Sequence, residues 1–434
     1  MPKITINKYS TWFRGSTPYI SAHRGKTFVV HLCGEGLQHK NLECLLQDLA
    51  LLHVLGIKIV LVHGGRPQIN TVLSNALFHG SRRVTRPEEM EPILSIHGIL
   101  RSRIEGLFSA GLPSTPLHKV DIAVVSGNFI TAKPVGILDG VDHLLTGETR
   151  KVNCSKIQEV LDHNGLILIS PVGYSPAGQP YNLSSEELAA DIATALSADK
   201  LIMFDTNGYI SGETGQKLTE ITAADAATLL DLNAKESALN INSMIKATRA
   251  GVPRSHLVSF QEDGALLGEL FTALGQGTQM SESHKELIRG AKQEDLAGII
   301  ALIKPLEEAE ILVRRSRDKL EQELQHFLIA DIDGFVAGCC AIYPFDHRAE
   351  LACIAVHPSY RHPEYTLGLG SKLLDAAEVA AKALGKKEIF VLTTQTADWF
   401  IEHEFELQTS DTLPDKKKAL YNYQRNAVIL SKPL

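Results

Sequence analysis

The sequence has no pair of cysteines spaced as CxxC. Its six cysteines (Cys33, Cys44, Cys154, Cys339, Cys340 and Cys353) form no metal-like cluster, so no metal site is expected and they read as reduced cytosolic thiols. The opening stretch, MPKITINKYSTWFRGSTPYI, lacks the apolar core of a signal peptide, and no apolar run approaches the length of a membrane span. A cytoplasmic protein with no membrane partner is the expectation. An excess of positive charge is missing too: the formal charge of −7 argues against a general nucleic-acid binder. Internal repeats and low-complexity segments are absent. What remains is a globular composition, 44% hydrophobic and 21% charged, in a chain of 434 residues, too long for one common domain.

The most informative stretch runs from Ala349 to Gly385. Leu351–Val356 is short and apolar throughout, as a strand buried on both faces should be. His357-Pro358 ends it, because proline has no N–H for the ladder. After a polar turn, Gly368-Leu369-Gly370 opens a helix whose apolar residues, from Leu369 through Leu373, Leu374, Ala377 and Ala381 to Leu384, keep to one face. Gly385 stands where such a helix stops. Glycines at a strand-to-helix turn let backbone approach a ligand, and the first amides of the helix have no internal partner. Those donors suit a pyrophosphate. An ordinary tight turn would have the same sequence.

Upstream, a strand–turn–helix rhythm begins at Lys26. Thr27–Leu32 and Ile57–Val62 are predicted strands and Leu42–Leu55 a helix. Leu166–Val172, Lys200–Phe204 and His256–Phe260 are later strands, Ile130–Gly140 a hairpin turning at Asp139-Gly140, and Gly264–Leu274 a helix. Alternating strands and helices predict an α/β domain with a mainly parallel sheet. A polar run, Gln279–Leu287, marks the boundary. The expected organisation is therefore residues 1–280, a linker at 281–287, and a second domain at 288–434. In that second part Phe327–Asp331 and Phe335–Tyr343 read as a hairpin, and Glu388–Thr393 and Ala427–Leu430 as further strands.

The order of strand, Val356-His357-Pro358, turn, GLG and helix resembles the GNAT acetyltransferases. Their turn carries Gln or Arg where Tyr365 stands here. The resemblance implies an α+β GNAT domain with acetyl-CoA as co-substrate, no tightly bound cofactor and no metal. It implies acetyl-CoA contacts from Ile354, Ala355, Val356, Arg361, Tyr365, Gly368, Leu369, Gly370 and Ser371. Acetyl transfer to an amine needs a base, and Glu350, at the start of the central strand, is the candidate; its other reading is a surface charge at a strand end. Thr393 is either a proton donor to the departing thiolate or a plain strand residue. Cys353 is either a nucleophile or, by preference, a packed thiol, since direct transfer needs none.

Residues 20–280 resemble the amino-acid kinase fold, an αβα sandwich, in its acetylglutamate kinase branch. VLVHGGRPQIN, VSGNFITAKPVG, YNLSSEELA and LLGELFTALGQGT carry the likeness. His31 occupies the place of a phosphate-gripping lysine, and Arg66 replaces the last glycine of the second loop; Asn240 aligns loosely with another lysine. Phosphoryl transfer depends on such cations, so this domain reads as a kinase retired from catalysis and kept for binding. Resemblance to the arginine-sensitive kinases implies an L-arginine site at Tyr19, His256, Glu269, Gly275, Gly277 and Thr278. Taken without it, Glu269 is a solvated helix residue.

Two basic runs, Arg314-Arg315 with Arg317 and Lys416–Lys418 with Arg425, stand out in an acidic chain. Each alone is a solvated face; together they suit a small dianion. ILVRRSRDKLEQEL, VLTTQTADWF and LPDKKKALYNYQR resemble the bacterial N-acetylglutamate synthase family. That likeness implies glutamate contacts from Arg315, Cys353, Leu392, Lys417 and Arg425, transfer of acetyl from acetyl-CoA to L-glutamate at the head of arginine synthesis, feedback by L-arginine, and a homo-oligomer through the kinase-like domains. The alternatives are an arginine sensor with an inactive transferase half and a bifunctional enzyme that keeps kinase activity.

Overall fold

Short runs of branched apolar residues build an eight-stranded sheet in the first part of the chain. In sequence its strands are β1 (Thr27–Leu32), β2 (Lys58–His63), β3 (Val124–Val125), β4 (Leu166–Ile169), β5 (Lys200–Asp205), β6 (Glu220–Thr222), β7 (Arg254–Ser259) and β8 (Thr278–Ser281). In space they lie in the order β6-β8-β7-β5-β1-β2-β4-β3, parallel from β7 to β3, with β8 antiparallel to β7. The structure is a computed structural model and describes residues 16–17, 19–109, 121–272, 275–282, 288–332, 334–361, 368–418 and 427–434. It falls into two compact units, Met1–His284 and Lys285–Leu434.

Residues alternate across the first sheet. Val29, Val60, Val62, Ile167 and Met203 join one core, while Phe28, Val30, Ile59, Leu61 and Phe204 join another on the opposite face. A parallel sheet must be covered on both sides. Helices α1 (Leu42–Val54) and α3 (Pro87–Ser109) contribute to the second core, together with α6 (Ala265–Phe271); α4 (Ser185–Ala195) and α5 (Lys235–Arg249) contribute to the first. α2 (Arg66–Val72) follows β2 directly. The result is the αβα sandwich expected.

The second unit has a seven-stranded sheet: β9 (Ile288–Gly290), β10 (Phe327–Ile332), β11 (Phe335–Pro344), β12 (Arg348–Val356), β13 (Glu388–Thr393), β14 (Glu406–Gln408) and β15 (Val428–Pro433). Their spatial order is β9-β10-β11-β12-β13-β15-β14, antiparallel except for β12 and β13. α7 (Leu296–Glu308), α8 (Leu369–Ala383), α9 (Ala397–Glu402) and α10 (Asp415–Lys418) complete the functional part of this unit.

Some elements differ from expectation. The strand predicted over Leu166–Val172 breaks at Ser170-Pro171, where proline offers no ladder N–H; Val172–Tyr174 joins a separate four-stranded sheet. Asp139-Gly140 does form a tight turn, but between Ile137–Leu138 and Val141–Asp142, while Ile130–Pro134 pairs with Gly147–Val152. The polar run taken as a boundary begins inside β8, where Met280 is fully buried and only the small polar residues around it look like linker. α6 ends at Phe271, and Leu274 lies outside the described residues. The central strand is not buried on both faces along its length: Ala352, Ile354 and Val356 are only half-buried.

Candidate active site

β12 pairs with β13 only from Arg348 opposite Glu388 to Leu351 opposite Val391. Two residues later Cys353 adopts a left-handed backbone, φ +52°, and the pairing with β11 slips there, so that Cys353 and Ile354 together face Cys340. β13 meanwhile stays with β15 as far as Thr393. The two central strands therefore part, and each keeps one unpaired edge. The His357 amide donates to Ala337 O at 2.8 Å. By the two-residue alternation of an antiparallel ladder, the backbones of Ile354 and Val356 then point away from β11, into the gap. Arg361 Nε donates to Val356 O at 2.6 Å from that side.

The N-terminus of α8 supplies more donors. Gly368 precedes it in the left-handed region, φ +51°, which glycine adopts without strain. Lys372 N–H is the first to bond back, to Gly368 O, so the amides of Leu369, Gly370 and Ser371 have no partner within the helix. Gly370 has a packing reason as well: a Cβ there would lie 3.3 Å from the Trp399 ring. The Leu369 side chain is core. Ser371 Oγ lies 2.9 Å from His403 Nε2, whose Nδ1 is 2.8 Å from Trp399 O, so this hydroxyl is engaged within the protein. Tyr365 falls outside the described residues.

Glu350 is 5% exposed, on β12 between Tyr343 of β11 and Phe390 of β13, one residue before the last β12–β13 pair. Its Oε1 accepts from Lys417 Nζ of α10 at 2.7 Å; its Oε2 is buried with no hydrogen-bond partner among the described residues. Arg315 is half-buried nearby, its amide donating to Glu307 Oε1 at 2.9 Å and its guanidinium to Val313 O. Burial works to lower the Arg315 pKa, and the anionic forms of Cys353, Tyr343, Glu350 and Glu323 outweigh it, holding the cation more firmly. Tyr343 donates to Glu323 Oε2 at 2.7 Å. Burial pushes the Cys353 thiol up to about 11, against the pull of Arg315, so it is a packed thiol and not a thiolate at neutral pH. Thr393 is buried; its Oγ1 lies 2.8 Å from Thr396 Oγ1 and accepts from the amides of Gln395 and Thr396. Leu392 is half-buried and faces Ile429 on β15. Arg425 is outside the described residues.

In the first unit two polar clusters form. His31, fully buried at the end of β1, sets Nε2 3.0 Å from Ser185 Oγ, and burial lowers its pKa. Arg66 pairs with Glu186 at 3.3 Å, and Asn240 donates to Asp205 Oδ2 at 3.1 Å. These residues, except His31, line one cleft with Gly34, Gly64 and Gly65. The second cluster joins β7, α6 and the turn before β8. His256 Nδ1 lies 2.7 Å from Glu269 Oε1, and Glu269 Oε2 accepts from the amides of Gln276 and Gly277, each at 2.7 Å. Burial opposes the charge on Glu269, yet the His256 bond and these amides win and hold its pKa below the ordinary value. Gly277 must be glycine, since a Cβ would run into Leu257 O. Thr278 Oγ1 is spent on Leu218 O and the Ile210 amide. Gly275 lies beside Glu269, and Tyr19 packs on the core of this face. Glu269 is thus buried and bonded, which corrects its reading as a solvated residue.

Comparison with known proteins agrees with both halves. Residues 26–259 match the amino acid kinase family and residues 295–399 the acetyltransferase (GNAT) family. The chain is 44% identical to an amino-acid acetyltransferase of Azotobacter vinelandii, across 99% of this chain and 100% of the relative. The chain belongs to the amino-acid acetyltransferase family. A family member from Pseudomonas syringae pv. syringae is 43% identical, over 98% and 100%. The crystal structure of N-acetylglutamate synthase from Neisseria gonorrhoeae, complexed with coenzyme A and L-arginine, resembles this amino-acid acetyltransferase family member with a TM-score of 0.87 at 33% identity, covering 98% of this chain and 99% of that one. The same enzyme complexed with coenzyme A and N-acetyl-glutamate gives 0.63.

Sequence reasoning singled out Ile354, Ala355 and Val356 and the carboxylate Glu350; of the three, Ala355 is paired with Cys339 of β11, while Ile354 and Val356 lie beside the gap. It missed the Lys417–Glu350 ion pair, the Ser371–His403 contact and the Arg66–Glu186 pair. Each joins residues far apart in the chain, and pattern carries no signal for such partners.

Proposed function

We propose that this amino-acid acetyltransferase moves the acetyl group of acetyl-CoA to the α-amine of L-glutamate, giving N-acetyl-L-glutamate and CoA, and that its first unit binds L-arginine as a regulator. The reading is supported by the relatives above and rests on one observation: a buried carboxylate, Glu350, whose Oε2 has no hydrogen-bond partner among the described residues, beside the point where two central strands part.

The gap exposes peptide groups of Ile354 and Val356. Their N–H groups hold the acyl carbonyl and bear the charge that grows on its oxygen as nitrogen attacks. The free amides of Leu369, Gly370 and Ser371, with the positive end of α8, meet the pyrophosphate. Arg361 adds a cation beside the same gap. Glutamate arrives as an ammonium ion. Glu350 takes one proton, the nitrogen bonds to the acyl carbon, and the carbon–sulfur bond breaks. The thiolate takes the second proton, which the nitrogen sheds as the amide forms, relayed through the Thr393 hydroxyl that sits among Thr396 Oγ1 and the amides of Gln395 and Thr396. The high Cys353 pKa favours direct transfer over an acyl-enzyme. Arg315, Lys417 and Arg425 anchor the two carboxylates, beside Leu392 and Cys353.

The kinase alternative lacks its cations: His31 is held neutral by burial and Arg66 is spent on Glu186. The same proposal places the arginine site at His256, Glu269 and the Gly275–Thr278 turn, with Tyr19, and includes a homo-oligomer through the first unit, on the kinase resemblance. A cytoplasmic home is supported by six free thiols. No helix among the described residues is long and apolar enough to cross a membrane. The test is free-thiol release from acetyl-CoA across a panel of amino acids. Release with glutamate above all others is expected; none with glutamate would overturn the reading.

A further inference from the structure

Lys417 occupies the group the reaction needs. Its Nζ lies 2.7 Å from Glu350 Oε1, with the lysine side chain 28% exposed and the carboxylate 7%. An ammonium substrate that hands its proton to Glu350 Oε2 must bring a second cation up to the same carboxylate. Two ammonium groups brought up to one buried carboxylate repel. Something has to take Lys417 away as the amine arrives. In an α-amino acid the carboxylate is attached to the carbon that bears the amine. With that amine at Glu350, the α-carboxylate is the part of the substrate fixed within reach of Lys417. Lys417 is the more exposed partner and stands on a separate short helix, α10, so it is the one placed to change partner.

We propose that Lys417 is a substrate-exchanged counter-ion: it neutralises Glu350 in the empty site and passes to the α-carboxylate of the incoming amino acid, so that only an amine with a neighbouring carboxylate frees the base. This rests on the acetyltransferase reading with Glu350 as base. Lys417 keeps its proton throughout. The first proton lost by the substrate ammonium goes to Glu350 Oε2, the carbon–nitrogen bond forms as the carbon–sulfur bond breaks, and the second proton shed by the nitrogen goes to the departing thiolate. Arg315 is not tied to Glu350 by any ion pair or hydrogen bond among the described residues and serves as an anchor rather than a lock. Specificity then lies in the turnover step and not in binding alone.

The probe is γ-aminobutyrate, which is glutamate without its α-carboxylate. Purified full-length protein is assayed by thiol release with saturating glutamate and with saturating γ-aminobutyrate, as wild type, Lys417→Met and Lys417→Arg. Wild type should turn over γ-aminobutyrate at a small fraction of its glutamate kcat. Lys417→Met should lose about 10–100-fold in kcat/KM for glutamate, the scale of one charged hydrogen bond, and should gain kcat on γ-aminobutyrate above wild type. A lysine that only anchors carboxylate gives no such gain, because its removal leaves the base as it was. Lys417→Arg should keep the wild-type ranking. Coenzyme A binding by calorimetry reports whether each variant is folded. Wild-type kcat values equal for both substrates, or no gain on γ-aminobutyrate in a folded Lys417→Met, would overturn the proposal. If methionine unfolds the site, a Lys417→Arg protein that prefers γ-aminobutyrate would do the same. Absence of wild-type thiol release with glutamate is a different failure, that of the acetyltransferase reading itself.

Discussion

The two oxygens of Glu350 meet different surroundings, and the proposed chemistry turns on that asymmetry. Oε1 is tied to Lys417; Oε2 is buried with no hydrogen-bond partner among the described residues. Glu350→Gln keeps the shape and removes the proton acceptor. It should lower kcat by about 10²–10⁴-fold, the usual worth of a general base, while calorimetry shows coenzyme A binding unchanged. A glutamine variant with wild-type turnover would place the base elsewhere. Glu350 was legible in the sequence because a lone acid opens an otherwise apolar strand. Lys417 was singled out only by the family likeness, as a contact for glutamate; nothing in the pattern of LPDKKKALYNYQR says that it reaches back 67 residues to Glu350. Cys353 was correctly read as packed, but its left-handed backbone was not foreseeable, since cysteine at φ +52° carries no compositional mark.

At the scale of elements, apolar runs and glycines made β12, α8 and most of the parallel sheet readable. The parting of β12 from β13 was not readable, because it depends on a one-residue slip against β11. β8 was hidden for another reason. Its buried Thr278 hydroxyl is satisfied by partners from distant segments, so a polar stretch could be internal. The turn before β8 is tied to α6 and β7 by Glu269, which accepts two backbone amides and faces His256. Glu269→Gln sets an amide NH₂ or a neutral oxygen against those donors. It should cost about 1–3 kcal/mol of stability, as an imperfectly satisfied buried group does, read from the midpoint of urea unfolding at pH 7. The folded-state pKa of Glu269 is lowered, so its contribution is present above the ordinary value of 4.5 and is lost as pH falls through the lowered one. The gap between wild type and variant should therefore narrow under acid. A gap that stays constant from pH 7 into the acid limb would mean that the carboxylate charge stabilises nothing there.

For the whole molecule, the question is how a ligand of one unit changes the rate in the other. Glu269 and Glu350 belong to different compact units. The kinase-like unit holds a buried acid, Glu269, bonded through both oxygens beside a glycine turn. A regulatory ligand acts only if it binds two states of the chain with different affinity. If L-arginine is that ligand and coupling is of the common size, about 1–3 kcal/mol, its affinity should shift by roughly 5- to 150-fold when coenzyme A is bound, and coenzyme A affinity should shift by the same factor when L-arginine is bound. Calorimetry in both orders measures the two factors independently, and initial rates should fall as L-arginine rises. Glu269→Gln should weaken L-arginine binding and leave the uninhibited rate alone, because the hydrogen bonds it alters run to His256, Gln276 and Gly277 of the first unit. Rates that stay flat to millimolar L-arginine would remove the regulatory role. They would leave acetyl transfer standing, since Glu350, the strand gap and the α8 amides all belong to the other unit.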